Sequence, residues 1–456
     1  MIRRWTPVLI LGALLGAPPT GGVELTLDQA MAMARGQGRE VAVAQARVTA
    51  SEKRLKQAKG YRFPKISLHE IWMRTDSPAE VFALELNQGN FSFDDFVMSD
   101  PNNPEPLNNA LTRFELVQPI YTGGQIEPRI DQAELASEAA QETAGWVSDG
   151  AALAAAEAYI MLAQIRERVA LLERSMETVD HHVRIAKAYT EQGMLVRSEL
   201  LRAEVERARI QDLLTEARGQ AKVAEANLSF RLATDTTTHW ELEAIPEPLP
   251  LEEDLDGWLT TAESRRDLEA ARRLLAAGEL EAKVKRSGLM PKVGVAARYD
   301  LNDKNLFGSS GQSAAVMAVA SIDLFSGNRH RAARAAAQAD AEAAFYEVEL
   351  FTHGIRLEVL EAYEKAITAR ERHQTAISAQ EAARELERIT EERFSKGVVK
   401  MIDLVDATTS RQEAETRELV ARAEAHLASL RLAVSAGRAP ETALGEFEDT
   451  PSRTES

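Results

Sequence analysis

The chain reads as a mostly α protein with a small strand portion, built by internal duplication. Three observations predict this. An offset of 204 carries Gly123 onto Gly327, Gly150 onto Gly354, Tyr159 onto Tyr363, Gly193 onto Gly397, Leu200 onto Leu404 and Ala203 onto Ala407. It also carries Arg166-Glu167-Arg168 onto Arg370-Glu371-Arg372, all without a gap. Two runs of more than sixty residues, Glu127 to Gln192 and Arg329 to Lys396, carry one proline between them, Pro128, in a first helical turn where its missing donor costs nothing. Between Val293 and Leu324 the apolar residues recur with period two.

Residues 1–22 read as an export signal. Arg3 and Arg4 form a basic start, Val8 to Ala17 a short apolar stretch, and small residues lead to cleavage near Gly22. The apolar stretch falls short of the roughly 20 residues that a spanning helix needs.

The first repeat is expected over residues 23–235. It opens with a helix over about Leu25 to Lys59, with Ala44, Val48, Leu55 and Ala58 on its apolar face, and Pro64 stops it. Strands follow at 66–74 and 111–120, separated by a loop over Ser77 to Asn109. Upstream of the strands the repeat offset is 227, with Pro64-Lys65 on Pro291-Lys292, Arg39 on Arg266 and Glu52 on Glu279. The first half therefore carries an insertion between Pro64 and Gly123. The long helix to Gln192 spans roughly 100 Å at 1.5 Å per residue. Its seam is alanine-rich (Ala151, Ala152, Ala154, Ala155, Ala156, Ala158), as is the matching one (Ala332, Ala333, Ala335, Ala336, Ala337, Ala339). Such rods need helical neighbours to fold. A returning helix covers about Ser198 to Ala233.

Residues 236–256, with Pro246, Pro248 and Pro250, read as an irregular linker. The second repeat is expected over 257–437, with strands at 292–301 and 314–324, a short loop over Asn302 to Gly311, and a returning helix over about Ile402 to Ala436. Val293, Val295, Ala297, Tyr299 and Leu301 alternate with Gly294, Ala296, Arg298 and Asp300. Val316, Ala318, Ala320, Ile322 and Leu324 share one face of the partner strand. One apolar and one polar face fit a strand between lipid and water, and equally a half-buried soluble hairpin. Residues 438–456 read as a loose polar tail.

Composition narrows the function. There is no cysteine, which removes disulfides, thiol chemistry and the acceptor for a lipid anchor. A net charge of −17 argues against nucleic acid as a partner. Charged residues make up 27% and aromatics 5%, which suits long solvated helices with small-residue seams. After the signal no run is long and apolar enough for a transmembrane helix. No phosphate loop and no zinc-protease motif occurs, and Gly308-Ser309-Ser310-Gly311 lacks the spacing of a nucleophile elbow. His181-His182 reads as helix surface, not a metal site. No catalytic residue, cofactor site or metal site is expected.

Several segments together carry a resemblance to a family. They are Leu25-Thr26-Leu27-Asp28-Gln29-Ala30, Phe63-Pro64-Lys65-Ile66, Gln118-Pro119-Ile120-Tyr121-Thr122-Gly123-Gly124 and Asp323-Leu324-Phe325-Ser326-Gly327-Asn328. Phe394-Ser395-Lys396-Gly397 and Asp403-Leu404-Val405-Asp406-Ala407-Thr408-Thr409 complete the set. In this order and duplicated, they resemble the TolC-like outer-membrane efflux protein family, from about Leu25 to Ala436. The resemblance implies a homotrimer in outer-membrane lipid, with a shared 12-stranded β-barrel continued by an α-barrel tunnel through the periplasm. It implies a periplasmic adaptor (membrane fusion) protein and an inner-membrane pump of RND or ABC type as partners. The implied role is the passive exit duct of a tripartite efflux or type I secretion system, with no reaction and no cofactor. The Ser77–Asn109 insertion would be the first extracellular loop, a constriction, an epitope or plain packing.

The resemblance also places candidate residues at the hairpin ends. Asp403 and Asp406 match the family's acidic rings at the closed periplasmic end, and Glu199 matches an acidic partner in the closing network. Their i, i+3 spacing puts Asp403 and Asp406 on one helix face. Without the resemblance the pair reads as a solvated helix start. Gly193, Met194 and Leu195, with Gly397, Val398 and Val399, match the tips that receive the adaptor, and equally suit ordinary helix C-caps. Phe394 stands where the family often has a locking tyrosine, and Val399 where an arginine pairs with acids. Arg197, Arg393 and Lys400 are the substitutes at hand. The competing reading is a periplasmic coiled-coil adaptor or scaffold protein, which should carry one helical hairpin, not two matching halves. An exported enzyme comes third.

Overall fold

A computed structural model describes residues 23–98, 100–245, 248 and 253–444. Residues 1–22, read above as an export signal, residue 99, residues 246–247 and 249–252 of the expected linker and the tail from 445 lie outside the described residues.

The elements follow the expected order, twice. Strand β1 (Val23–Leu25) precedes helices α1 (Leu27–Gln37) and α2 (Arg39–Gly60). Strand β2 (Lys65–Thr75), helices α3 (Pro78–Asn87) and α4 (Phe93–Met98) and strand β3 (Leu107–Thr122) come next. The long helix α5 (Ile126–Glu191) turns into α6 (Arg197–Arg231). Strand β4 (Trp240–Leu242) and helix α7 (Leu255–Ala262) connect to α8 (Arg266–Arg286), β5 (Lys292–Asp303) and β6 (Gly311–Ser321). The second long helix α9 (Arg329–Ser395) turns into α10 (Met401–Ser435).

The helix bounds agree with the sequence reading to within about two residues, but five details differ. The opening helix is broken between α1 and α2, because the Gly38 backbone turns out of the helix and its N–H closes on the Ala34 carbonyl at 2.9 Å. The linker is not wholly irregular: β4 pairs in parallel with β1. The 77–109 insertion is largely helical, as α3 and α4, and its last residues already belong to β3. β6 lies three residues upstream of the expected 314–324: its ladder with β5 ends at Ser321, and Asp323 instead accepts from His330 at the head of α9 (3.0 Å). The tail begins tied down, not loose. Arg438 pairs with Glu253 and stacks 4.2 Å over Trp258, and Glu441 pairs with Arg35.

Two compact units result, and each draws on both repeats. Of the described residues, one holds those of 23–43, 145–265 and 354–444. Its core joins Leu25, Met31, Ala152, Ala155, Ala156, Tyr159, Leu162, Leu228, Trp240 and Leu430. Tyr159 donates to the Leu25 carbonyl (3.1 Å), and its hydroxyl accepts from the Glu243 N–H (3.0 Å). Arg166 ties the β4 carbonyl at Trp240 to Glu225. The alanine seam of α5 is thus spent inside the chain.

The other unit, Ala44–Ala144 with Arg266–His353, carries a four-stranded antiparallel sheet in the order β2-β3-β5-β6. Its register sorts side chains by chemistry. Ile66, Leu68 and Trp72, Phe114 and Leu116, Ala297 and Tyr299, and Ala314 and Val316 fall on one face. His69, Arg113, Glu115, Arg298 and Asp300 fall on the other. On the apolar face Ile66, Leu68, Trp72, Phe114, Tyr299 and Val316 are exposed. On the polar face Arg113 grips Asp300 with two hydrogen bonds of 2.7 and 2.8 Å. An apolar face left exposed opposite a face that carries the charges is not the pattern of a soluble half-buried sheet, whose apolar face is covered. The matching alanine seam of α9 is mostly exposed: of Ala332, Ala333, Ala335, Ala336, Ala337 and Ala339 only Ala337 is buried.

Candidate functional site at the hairpin tips

Both helical hairpins close in the same way. Gly193 and Gly397 take left-handed backbone conformations, with φ of +72° and +68°. Gly193 N–H bonds Thr190 O (3.0 Å), and Met194 N–H reaches back to Tyr189 O (2.9 Å). Gly397 N–H bonds Phe394 O (2.9 Å), and Val398 N–H reaches Arg393 O (2.9 Å). These are Schellman caps, in which a residue at positive φ lets the chain turn while satisfying the last helical carbonyls. Both glycines face open space. Met194, Val196 and Val398 are exposed, whereas Leu195 and Val399 turn inward.

An apolar cluster joins the two tips. Ala186, Ala203, Phe394, Met401 and Leu404 are buried, with Tyr189, Leu195, Leu200, Val399 and Val405 packed around them. Phe394 stacks on Tyr189 with ring centroids 6.4 Å apart. Its ring is therefore a core group that bridges the hairpins through packing.

Asp403 and Asp406 are both exposed, one turn apart. Asp403 Oδ2 accepts the backbone N–H of Lys400 (2.9 Å), so this carboxylate helps start α10. Glu199 occupies the same turn of α6, half-buried, and one of its oxygens is buried without a partner. Arg197, Arg393 and Lys400 are all exposed, and no described residue forms an ion pair with any of them. The structure thus puts Asp403, Lys400, Val399, Phe394 and Leu195 in one neighbourhood and leaves the three cations uncommitted.

A polar layer above the tip was not anticipated. Glu206, nearly buried, takes three bonds from Arg209 and one from the Thr409 hydroxyl (3.2 Å), and Arg209 reaches Gln412 (3.0 Å). Arg411 pairs with Glu387 and Glu415, and Arg384 also holds Glu415 (2.9 Å). Burial raises the carboxyl of Glu387 above its usual range, against the pull of Arg411. His182 is buried, not on the surface as expected, while His181 is exposed. Burial, with His181 and Arg411 adding to it, lowers the His182 imidazole to about 4. In sequence these residues look like a solvated helix face. Only the helix-spaced pairs Glu206–Arg209 and Arg411–Glu415 hint otherwise.

Among the described residues no cluster of His, Asp and Glu could hold a metal ion, and no helix is long and apolar enough to cross a membrane.

A family model described as outer membrane efflux protein matches residues 30–234 and 260–438. No curated protein matches the sequence. Solved structures share the fold at low identity. A membrane protein from Pseudomonas aeruginosa superposes with a TM-score of 0.78 at 17% identity, covering 90% of this chain and 93% of that one. The outer membrane protein VceC from Vibrio cholerae gives 0.73 at 16% identity, covering 90% and 96%. The open state of the Neisseria gonorrhoeae MtrE outer membrane channel gives 0.69 at 17% identity, covering 90% and 89%.

Proposed function

This chain belongs to the outer membrane efflux protein family, and from that premise we propose how its parts serve as an outer-membrane exit duct for efflux. The family is one of channels, not of enzymes. The observation that carries the assembly reading is the sheet. Its four strands expose an apolar face and leave β2 and β6 as free edges. Open edges are not tolerated in hydrocarbon, and four strands cannot close on themselves. Three chains joined edge to edge make a closed barrel of twelve strands with the ionic face inside. The exposed alanines of α9 supply a face on which a neighbouring chain can pack closely.

In this reading residues 23–235 and 257–437 are two repeats around a linker at 236–256, after removal of a signal over 1–22. The tips at Gly193–Leu195 and Gly397–Val399 receive a periplasmic adaptor, and a pump of RND or ABC type delivers the cargo. Asp403 and Asp406 ring the closed end, with Glu199 beside them. Arg197, Arg393 and Lys400 are the cations free to pair across chains. Phe394 contributes by packing, since it has no hydroxyl. The paired glycine caps and the exposure of Met194, Val196 and Val398 support the docking role.

The test is assembly in mild detergent. Chemical cross-linking and mass measurement should give a trimer that withstands brief detergent treatment unheated. A stably folded monomer would overturn the barrel reading.

A further inference from the structure

The loop between β5 and β6 is folded onto the apolar side of the sheet. Alternation along the ladders puts Glu70, Thr112, Leu301 and Asp303 on the face that carries Leu68, Phe114 and Tyr299. Glu70 takes a hydrogen bond from the Thr112 hydroxyl and another from the Phe307 N–H (3.1 Å). Asp303 takes the Asn305 N–H (2.9 Å), the Ser310 N–H (3.0 Å) and the Ser310 hydroxyl. Gly308 lies so close that a Cβ there would sit 2.1 Å from the Asp303 carboxyl carbon. Two carboxylates on an otherwise apolar face thus hold the loop against it.

The tip combines backbone strain with apolar exposure. Gly308 N–H closes a turn on the Asn305 carbonyl (3.1 Å), and Phe307, third in that turn, has a φ of +57°. Glycine or asparagine is the ordinary residue in that conformation, and a bulky aromatic is an outlier. Leu306 is 57% exposed and Phe307 69%. A turn that only joined two strands would need neither the strain nor the apolar pair. Lys304 on the same loop is exposed, as is Arg74, which lies on the same face near the end of β2. No described residue forms an ion pair with either cation. All these groups stand at the end of the sheet opposite the one from which β3 and β6 run into α5 and α9.

We propose that residues 304–308 form a lipid anchor at the outer rim of the barrel, and that its ligand is a phosphate-bearing lipid of the outer leaflet. Leu306 and Phe307 enter the acyl border of that leaflet, and Lys304 and Arg74 receive the phosphate. The proposal rests on the barrel reading above, which makes the apolar face the lipid side. Three features select this occupant. The loop continues the face that lipid would cover, where the exposed Trp72 and Tyr299 suit a membrane interface. Two uncommitted cations near an apolar pair match a headgroup that joins acyl chains to phosphate. Glu70 and Asp303 also satisfy the N–H groups of residues 305, 307 and 310, which hydrocarbon could not do.

The chain has no cysteine, so single thiols can be placed in the assembled protein. Leu306→Cys carrying a small fluorophore is placed in vesicles of phosphatidylcholine with bisphosphorylated lipid A. It should be quenched by lipids bearing a nitroxide near the headgroup and protected from aqueous iodide. Val316→Cys on the apolar face is the reference for lipid contact, and Ser313→Cys on the ionic face the reference for water. Trimers re-isolated in mild detergent should retain bisphosphorylated lipid A. Lys304→Gln with Arg74→Gln should lower that retention by about tenfold or more, to the level of dephosphorylated lipid A on the unaltered chain. Phe307→Gly, which relieves the strained φ, should keep the trimer and still lower retention. Iodide quenching of Leu306→Cys equal to that of Ser313→Cys, or equal retention with and without the two cations, would overturn the anchor. A Leu306→Cys cross-link between copies by a short bifunctional maleimide would also overturn it, in favour of a neighbouring chain as the occupant. Val316→Cys beyond reach of the lipid nitroxides would instead overturn the face assignment, and the barrel reading with it.

Discussion

Gly123 and Gly327 are related by the duplication, share a left-handed backbone and differ in surroundings, which makes them a controlled pair. Their φ values are +69° and +60°. Placing an L-residue there costs roughly 1–2 kcal/mol. Replacing glycine by alanine recovers about 0.4–1 kcal/mol from the unfolded chain. At Gly327 an added Cβ meets nothing within 4 Å, so Gly327→Ala should destabilise by only about 1 kcal/mol. At Gly123 the Cβ would lie 2.6 Å from the Ser287 carbonyl oxygen and 3.0 Å from Met290 Cβ. Ser287 is buried, with its hydroxyl bonded to Val284 O (2.6 Å), so the contact cannot simply relax away. Overpacking of this kind adds about 1–3 kcal/mol, for a total near 2–4 kcal/mol. The next positions extend the comparison. Gly124 and Asn328 are also duplicates, and both are left-handed, at +75° and +62°. Asparagine tolerates that region, and nothing lies within 4 Å of Gly124, so Gly124→Asn should be near neutral. The assay is the temperature at which the proposed trimer falls to monomer on a gel, with expression matched. A Gly327→Ala loss equal to or larger than that of Gly123→Ala would refute the reasoning.

Other outcomes follow from single observations. A charged residue at the open turns, as Gly193→Glu or Gly397→Glu, should abolish pump-dependent export while trimers still assemble, with export and membrane trimer level measured together. Arg113→Ala removes both close hydrogen bonds from the nearly buried Asp300, leaving Arg298 at 3.7 Å, and should cost about 1–3 kcal/mol of barrel stability, whereas Arg113→Leu with Asp300→Leu should cost less, both read in the same gel assay. The His182 imidazole, lowered in the fold to about 4, binds its proton later than in the unfolded chain, so stability falls as pH drops from about 6.5 to 4. Hydrogen exchange of the α5–α6 hairpin should show this loss, on the order of 2–3 kcal/mol, and His182→Gln should remove it. Asp403→Asn with Asp406→Asn keeps the helix cap and removes the charge; in planar bilayers it should strongly weaken block by multivalent cations added from the periplasmic side.

The long helices were legible because their ends are written in chemistry: positive-φ glycines after Phe394 and Thr190, and no proline between. The strand faces were legible because charges alternate with Val, Leu and Tyr. What stayed hidden depended on partners distant in sequence. β1 and β4 are three residues each, too short for periodicity, and they exist only because they pair with each other. α3 was read as a loop because two of its four inward positions are Glu85 and Gln88, which look like solvent positions until Asn108 and Asn109 are placed against them. β6 was displaced because Ile322 and Leu324 extend the apolar alternation past the last ladder pair. Near the tips, Glu206, Arg209 and Gln412 look like a solvated face in sequence, and only the meeting of α6 with α10 buries Glu206 and Gln412.

The two tips share a backbone but not a charge design, and the difference bears on the proposed gate. In the second repeat Asp403 spends one oxygen on the Lys400 N–H, which holds its carboxylate at the helix start. Asp406 follows one turn on with no ion pair to any described residue, so both charges stay available to whatever faces them. In the first repeat the same turn offers only Glu199, half-buried, with one oxygen sealed and unpartnered. A sealed carboxylate oxygen without a partner is costly, and a donor from a neighbouring chain would relieve that cost. Exposed arginines stand at both tips, Arg197 at the start of α6 and Arg393 at the end of α9. If a neighbour's cation reaches Glu199, then Glu199→Gln should loosen the contact between chains without changing the fold of one chain. Asp406→Asn should instead alter ion passage while leaving that contact intact. Single-channel open probability reads the first and cation selectivity the second, so the two acids can be separated. A Glu199→Gln variant with unchanged open probability would remove Glu199 from the closing network and leave the acidic pair of α10 as the whole of the charged gate.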